Sequence, residues 1–120
     1  MNDRELLEAA AKAAGVVLLR APDGSMRNCT GLQPEHNILA APLWYPLADD
    51  GDALRLAMAL DMRIHPMPGF GDDCVICSTD QPRIVGWAQE KFGNDKAAAT
   101  RRAIVRAAAA LGGATGAGGE

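Results

Sequence analysis

Cys74-Val75-Ile76-Cys77 has the spacing of half a zinc site or of a redox dithiol. A structural zinc ion takes four converging ligands, so His65, His36 or Cys29 would have to complete the set. The two residues between the thiols are β-branched, and the run reads as a strand. On a regular strand residues three apart point to opposite faces, so one ion cannot take both thiolates. There is no second C-x-x-C. A redox pair belongs at the start of a helix, which this run is not. Packing cysteines are expected, with no metal. His65 shares a strand face with Arg63 and Met67, opposite Ile64, so a core position for Ile64 leaves His65 in solvent. His36 stands beside Glu35 with no nucleophile to serve. No Gly-x-Ser-x-Gly, Gly-rich phosphate loop or carboxylate pair at a readable spacing occurs. These residues point away from an enzyme and require no cofactor.

Asp49-Asp50-Gly51-Asp52, behind Trp44-Tyr45-Pro46, is the densest acidic cluster. Calcium would need more oxygens and a closing glutamate at loop spacing. A helix start explains the acids more simply. Asp49 is the expected N-cap, Asp52 a short version of the capping-box acid, and first-turn acids suit the helix dipole. On the last helical segment Arg101, Arg102 and Arg106 carry most of the charge. At 100° per residue Arg102 and Arg106 share a face opposite Ala97, Ile104, Ala108 and Leu111, and Arg101 flanks the apolar stripe. They make either a solvated basic face or a small patch for phosphate or a carboxylate-rich partner. Trp44 and Tyr45 are expected to lid the core, or else to stack a ligand or anchor an interface. Trp87 is expected to pack against a helix.

The elements that must position these groups are legible in order. Asn2-Asp3-Arg4-Glu5 is a capping box, followed by an apolar stripe of Leu6, Leu7, Ala10 and Ala14, a Glu8–Lys12 pair, and a stop at Gly15. Val16–Leu19 reads as a short buried strand ended by Pro22-Asp23-Gly24. Residues 24–43 show no period and read as a long loop. A buried helix over Ala53–Met62 follows. Three strands are expected at Met62–Met67, Cys74–Thr79 and Ile84–Gln89, joined by short turns as an antiparallel meander. The final helix begins near Asn94 or Asp95, runs through Ala97–Leu111 and stops at Gly112-Gly113. The expected fold class is α+β: the meander plus the N-terminal strand, packed with about three helices. One domain over residues 1–112 and a flexible Gly/Ala tail over 113–120 are expected.

The chain has 120 residues, 48% hydrophobic but only 4% aromatic, and a net charge of −3. Its length supports one core, built from thin, close-packed layers because large side chains are scarce. The charge disfavours general nucleic-acid binding. No apolar run approaches the ~20 residues of a membrane span, and the charged start lacks a signal peptide's apolar core. Three cysteines fit a reducing cytosol.

Trp44, Pro46-Leu47, Asp50-Gly51-Asp52-Ala53-Leu54-Arg55-Leu56-Ala57 and Ala98-Ala99-Thr100-Arg101-Arg102-Ala103-Ile104-Val105-Arg106-Ala107-Ala108 resemble small proteins of tailed phages and prophages, grouped as the phage ABA-sandwich domain family. The opening Asn2-Asp3-Arg4-Glu5-Leu6-Leu7 is similar to the start of such proteins. Tyr45 departs from the pattern, and residues 20–43 match none of it. The resemblance implies an accessory protein made in the cytoplasm of a bacterial host.

Three functions follow as expectations. The first is a non-enzymatic binder and inhibitor of a host bacterial protein belonging to an anti-phage defence, with Asp49, Asp50, Asp72 and Asp73 facing a basic groove. The second is a sponge for a nucleotide signal, with Arg101 and Arg102 on phosphates, Trp44 or Tyr45 on a base, and a homo-oligomer enclosing the ligand. The third is weak RNA binding through the last helix.

Overall fold

The computed structural model describes residues 2–33, 35–67, 73–79 and 86–114. The fold is α+β, with three α-helices and two small antiparallel sheets. Helix α1 spans Asp3–Ala14, and both halves of its capping box form: Glu5 N–H donates to Asn2 Oδ1, and Asn2 N–H donates to the Glu5 carboxylate. Gly15 ends the helix in the left-handed conformation at φ 73°, a backbone that a Cβ would strain. Glu8 pairs with Arg4, one turn earlier, rather than with Lys12.

Strands β1 (Leu18–Arg20) and β2 (Met26–Asn28) form a hairpin. Asp23 holds its turn by accepting from the backbone and hydroxyl of Ser25. These bonds, helped by Arg27, hold the Asp23 carboxyl below its ordinary value of 3.8. Two expectations are corrected here. The first strand begins two residues later than read and is largely exposed, and the segment read as one long loop holds β2 and a 3-10 turn at Ile38–Ala40. The chain then returns along β2: Arg27 bridges Leu43, and Trp44 N–H donates to Met26 C=O. Short strands with no apolar alternation hide from a periodicity search. β1 therefore sits in this separate sheet and not beside the meander.

Helix α2 covers Asp50–Ala59, and β3 (Arg63–Met67), β4 (Cys74–Ser78) and β5 (Trp87–Lys91) make the expected meander in the order β3-β4-β5. Ile84 and Val85, read as the start of the third strand, lie outside the described residues. Thr79 and Gly86 close the β4–β5 end reciprocally, through Thr79 N–H to Gly86 C=O and Gly86 N–H to Thr79 Oγ1, each 2.9 Å.

Helix α3 (Lys96–Ala109), capped by Asp95, is the hub against which α1, α2 and the inner face of the meander pack. Its buried residues are Ala99, Ala103, Ile104, Val105, Ala107, Ala108 and Ala109. With so little side chain at the contacts, neighbouring backbones approach closely, and the core is thin in the manner composition suggests. Gly112 does not stop this helix. The chain runs on through a π-helical turn, Ala110–Ala114, packed against α1. A Cβ at Gly112 would collide with the backbone of Ala9 and Ala13. The glycine therefore serves close approach, and Gly113 and Ala114 belong to the turn and not to a tail. Residues 115–120 lie outside the described residues.

Candidate functional site

The three arginines expected to make a basic patch are tied into the fold, each to a different element. Arg101, whose side chain is only 17% exposed, donates from Nε to Leu47 C=O at 2.9 Å and from a terminal nitrogen to Asp50 at 2.6 Å. Arg102 reaches Asp3 on α1 at 3.1 Å. Arg106 pairs with Glu90 on β5 and donates to Gln89 C=O at 3.1 Å. They join α3 to α2, α1 and the sheet. Lys96, at the helix start, sits 5.4 Å from the Phe92 ring centroid, a cation–π contact.

The acidic cluster also divides its labour. Asp49 is the N-cap and accepts from Asp52 N–H at 2.8 Å. Asp50 belongs to Arg101. Asp52, 8% exposed, accepts Tyr45 N–H at 2.9 Å and the Arg55 guanidinium at 2.7 Å. It pins the Trp44-Tyr45 loop to the helix and does not close a capping box on Asp49. Trp44 is in the core as expected, whereas Tyr45 is 40% exposed. Asp72 lies outside the described residues, and Asp73 is exposed.

Among the described residues no cluster of three or more His, Cys, Asp or Glu side chains could hold a metal. Val75 and Cys77 face the core, and Cys74 points to the other side of β4. All three cysteines are free thiols and buried, and burial pushes the Cys77 thiol up to about 11. Ile64 packs on the core and His65 is exposed.

Part of the described surface is apolar. Helix α2, read as buried all round, buries Ala53, Leu56, Ala57 and the following Leu60 but leaves Leu54 56% and Met58 69% exposed. At 100° per residue, Gly51, Leu54, Arg55 and Met58 share the arc opposite that buried stripe. One face of the helix is enough for the core. Two depressions flank this ridge. A groove of about 440 Å³ between α2, α3 and β3 is floored by Ala53, Ile64, Ala97 and Ile104, with Asp50, Lys96 and Arg101 among its lining. On the other side a cleft of about 240 Å³ is lined by Val16, Leu43, Trp44, Asp52, Arg55 and Leu56, among others. A phosphate in that cleft would meet the Asp52 carboxylate. Trp87, expected against a helix, is 55% exposed.

Comparisons with family models, curated proteins and solved structures found no match. No helix among the described residues is long and apolar enough to cross a membrane.

Proposed function

We propose that this chain is a non-enzymatic accessory protein that binds and inhibits a host bacterial protein, with the exposed α2 ridge as its contact surface. The single observation that supports this is Leu54 and Met58, one turn apart and mostly in solvent, between two grooves. Each would recover roughly 1–2 kcal/mol on burial, given about 1.5–3 kcal/mol for a whole Leu or Met side chain. A few packed anchors carry most of an interface's affinity, and Leu54 and Met58 are the apolar pair that stands beside a groove here. Asp49 and Asp50 at the head of the ridge are exposed, but they cap the helix and pair with Arg101, so the apolar pair carries the reading. The phage or prophage origin, the cytoplasmic setting and an anti-phage defence target rest on the resemblance of Asp50–Ala57 and Ala98–Ala108 to the phage ABA-sandwich domain family. The nucleotide-sponge reading is less favoured, because Arg101 and Arg102 bond within the fold and Trp44 is buried, which leaves it the exposed Tyr45 as a base-stacking side chain.

Gentle purification from a bacterial host followed by native mass spectrometry tests the proposal, with wild type and Leu54→Glu/Met58→Glu compared side by side. A stoichiometric host protein is expected on the wild type, with affinity falling about a hundredfold in the double variant. The variant should keep its thermal stability, since both side chains are exposed. A partner held equally by the double variant would remove the ridge from the interface. A retained mass of small-molecule size, in place of a protein, would return the sponge.

A further inference from the structure

The β1–β2 hairpin leaves one edge of its backbone open, on a surface that the α2 ridge does not use. Cys29 N–H donates to Val17 C=O and Ala21 N–H to Ser25 C=O, so Val17, Leu19 and Ala21 turn their main-chain groups toward β2. Antiparallel pairing alternates, and the N–H and C=O groups of Leu18 and Arg20 therefore point away from β2. The far side of β2 is already taken, because Asn28 N–H donates to Pro42 C=O and Trp44 N–H to Met26 C=O. No described strand lies beyond β1. Beside that edge Val17 and Leu19, each about half exposed, wall a cleft of about 290 Å³ with Leu32, His36 and Ile38. Arg20 is exposed, and among the described residues it is the one arginine whose side chain has no partner in the fold.

We propose that the β1 edge binds an extended peptide segment of another protein, which adds as a strand antiparallel to β1 and carries an acidic residue followed by alternating apolar ones. Main-chain bonds to Leu18 and Arg20 give such a strand its affinity, and the side-chain subsites give it specificity. Antiparallel pairing is the stronger kind per residue. Residues paired across a sheet project to the same face. The peptide residues opposite Leu19 and Val17 therefore lie over the cleft and favour apolar side chains. The residue opposite Arg20 lies on the other face, where a carboxylate meets the free guanidinium. Read along the peptide, the order is acid, apolar, any residue, apolar. A second copy of the chain fits less well. Two β1 strands paired about Leu19 would set both Arg20 side chains on one face, and a charge on an edge strand deters such pairing.

The test uses the full chain with the fluorescein-labelled peptide Thr-Asp-Val-Thr-Val-Thr, read by anisotropy up to millimolar protein. Binding is expected. The isomer Thr-Asp-Thr-Val-Thr-Val moves the apolar side chains to the other parity and should bind about tenfold more weakly. N-methylation of the aspartate or of the central threonine, whose amides face β1, should abolish binding, whereas N-methylation of either valine should change it little. Arg20→Glu should weaken the peptide about tenfold and should prefer the same peptide with lysine in place of aspartate. Leu54→Glu/Met58→Glu should leave peptide binding unchanged, which separates this edge from the α2 ridge. The proposal is overturned by no anisotropy change, by equal binding of the two isomers, or by N-methyl effects that ignore position. It also fails if sedimentation velocity shows a dimer that Leu19→Glu dissociates, since a second copy then covers the edge.

Discussion

Replacing Arg101 separates a structural tie from a ligand-binding cation. Its Nε is the donor to Leu47 C=O in the half-buried turn before α2, and its terminal nitrogen meets Asp50 in the first turn of that helix. In Arg101→Ala the Leu47 carbonyl loses a charge-assisted partner, a loss of about 1.5–3 kcal/mol. The Asp50 pair adds little, at most about 1 kcal/mol, because that carboxylate is 78% exposed and screened by water. The aliphatic stem, packed between the helices, adds somewhat more. The expected total is about 2–4 kcal/mol, and Asp50→Ala should cost about 1 kcal/mol or less. Arg101→Lys keeps the charge but not the Nε donor, so it should recover only part of the loss. Urea unfolding with a fixed m-value reads these differences directly. At this chain length a loss of 3 kcal/mol also lowers Tm by roughly 10 °C. Equal and small losses for Arg101→Ala and Asp50→Ala would refute the strut, and would restore the basic patch that the helical spacing suggested.

Thr79→Val removes the acceptor for the Gly86 N–H at the end of the meander, and should cost about 1–3 kcal/mol in the same assay; Thr79→Ser should be far milder. Gly112→Ala pushes a methyl into the α1 backbone at Ala9, so a loss of about 1–3 kcal/mol or more is expected, with hydrogen exchange rising in both α1 and the end of α3. Cys77 has its pKa raised from an ordinary 9.0 to about 11 by burial. A raised folded pKa means that stability is full below 9.0 and is lost as pH climbs through about 11, because the unfolded thiol ionises first. Cys77→Ala should flatten that alkaline limb, and a slope unchanged by the substitution would assign it to another group. Native protein should react slowly with a thiol reagent at neutral pH, since all three cysteines are buried.

The elements with strong local signals were legible: the capping box at Asn2, the αL stop at Gly15, the N-caps at Asp49 and Asp95, and the meander marked by turn formers between short apolar runs. Two kinds of feature were not. Strand β2 (Met-Arg-Asn) has no alternation, and it forms because the hairpin turn at Asp23 and the returning segment at Leu43–Trp44 give its backbone partners on both sides. Helix spacing also cannot say which charged side chains pair across the fold. Arg101, Arg102 and Arg106 looked like a patch because their partners, Asp50, Asp3 and Glu90, are 51, 99 and 16 residues away. The ridge of Leu54 and Met58 was misread for a related reason. An apolar helix looks buried all round until the size of the surface available to cover it is known, and only one side of α2 meets α3.

The alanine-built hub explains both the struts and the exposed apolar groups. An alanine buries little area, so α3 gains less from apolar transfer per residue than a leucine-faced helix would. Directional ties at three points along it fix the positions of α1, α2 and the sheet where side-chain interdigitation is shallow. A chain with two tryptophans, one tyrosine and two phenylalanines has few large side chains to spend on packing. Yet Trp87, Tyr45, Leu54 and Met58 are each 40% exposed or more. Filling the core from this set would add stability at each position, so their place in solvent is a stability cost that packing does not explain. Leu54 and Met58 are the pair to which the proposed partner contact assigns a role. Substitutions at these four positions should therefore leave unfolding curves nearly unchanged, while Leu54→Glu/Met58→Glu weakens partner binding.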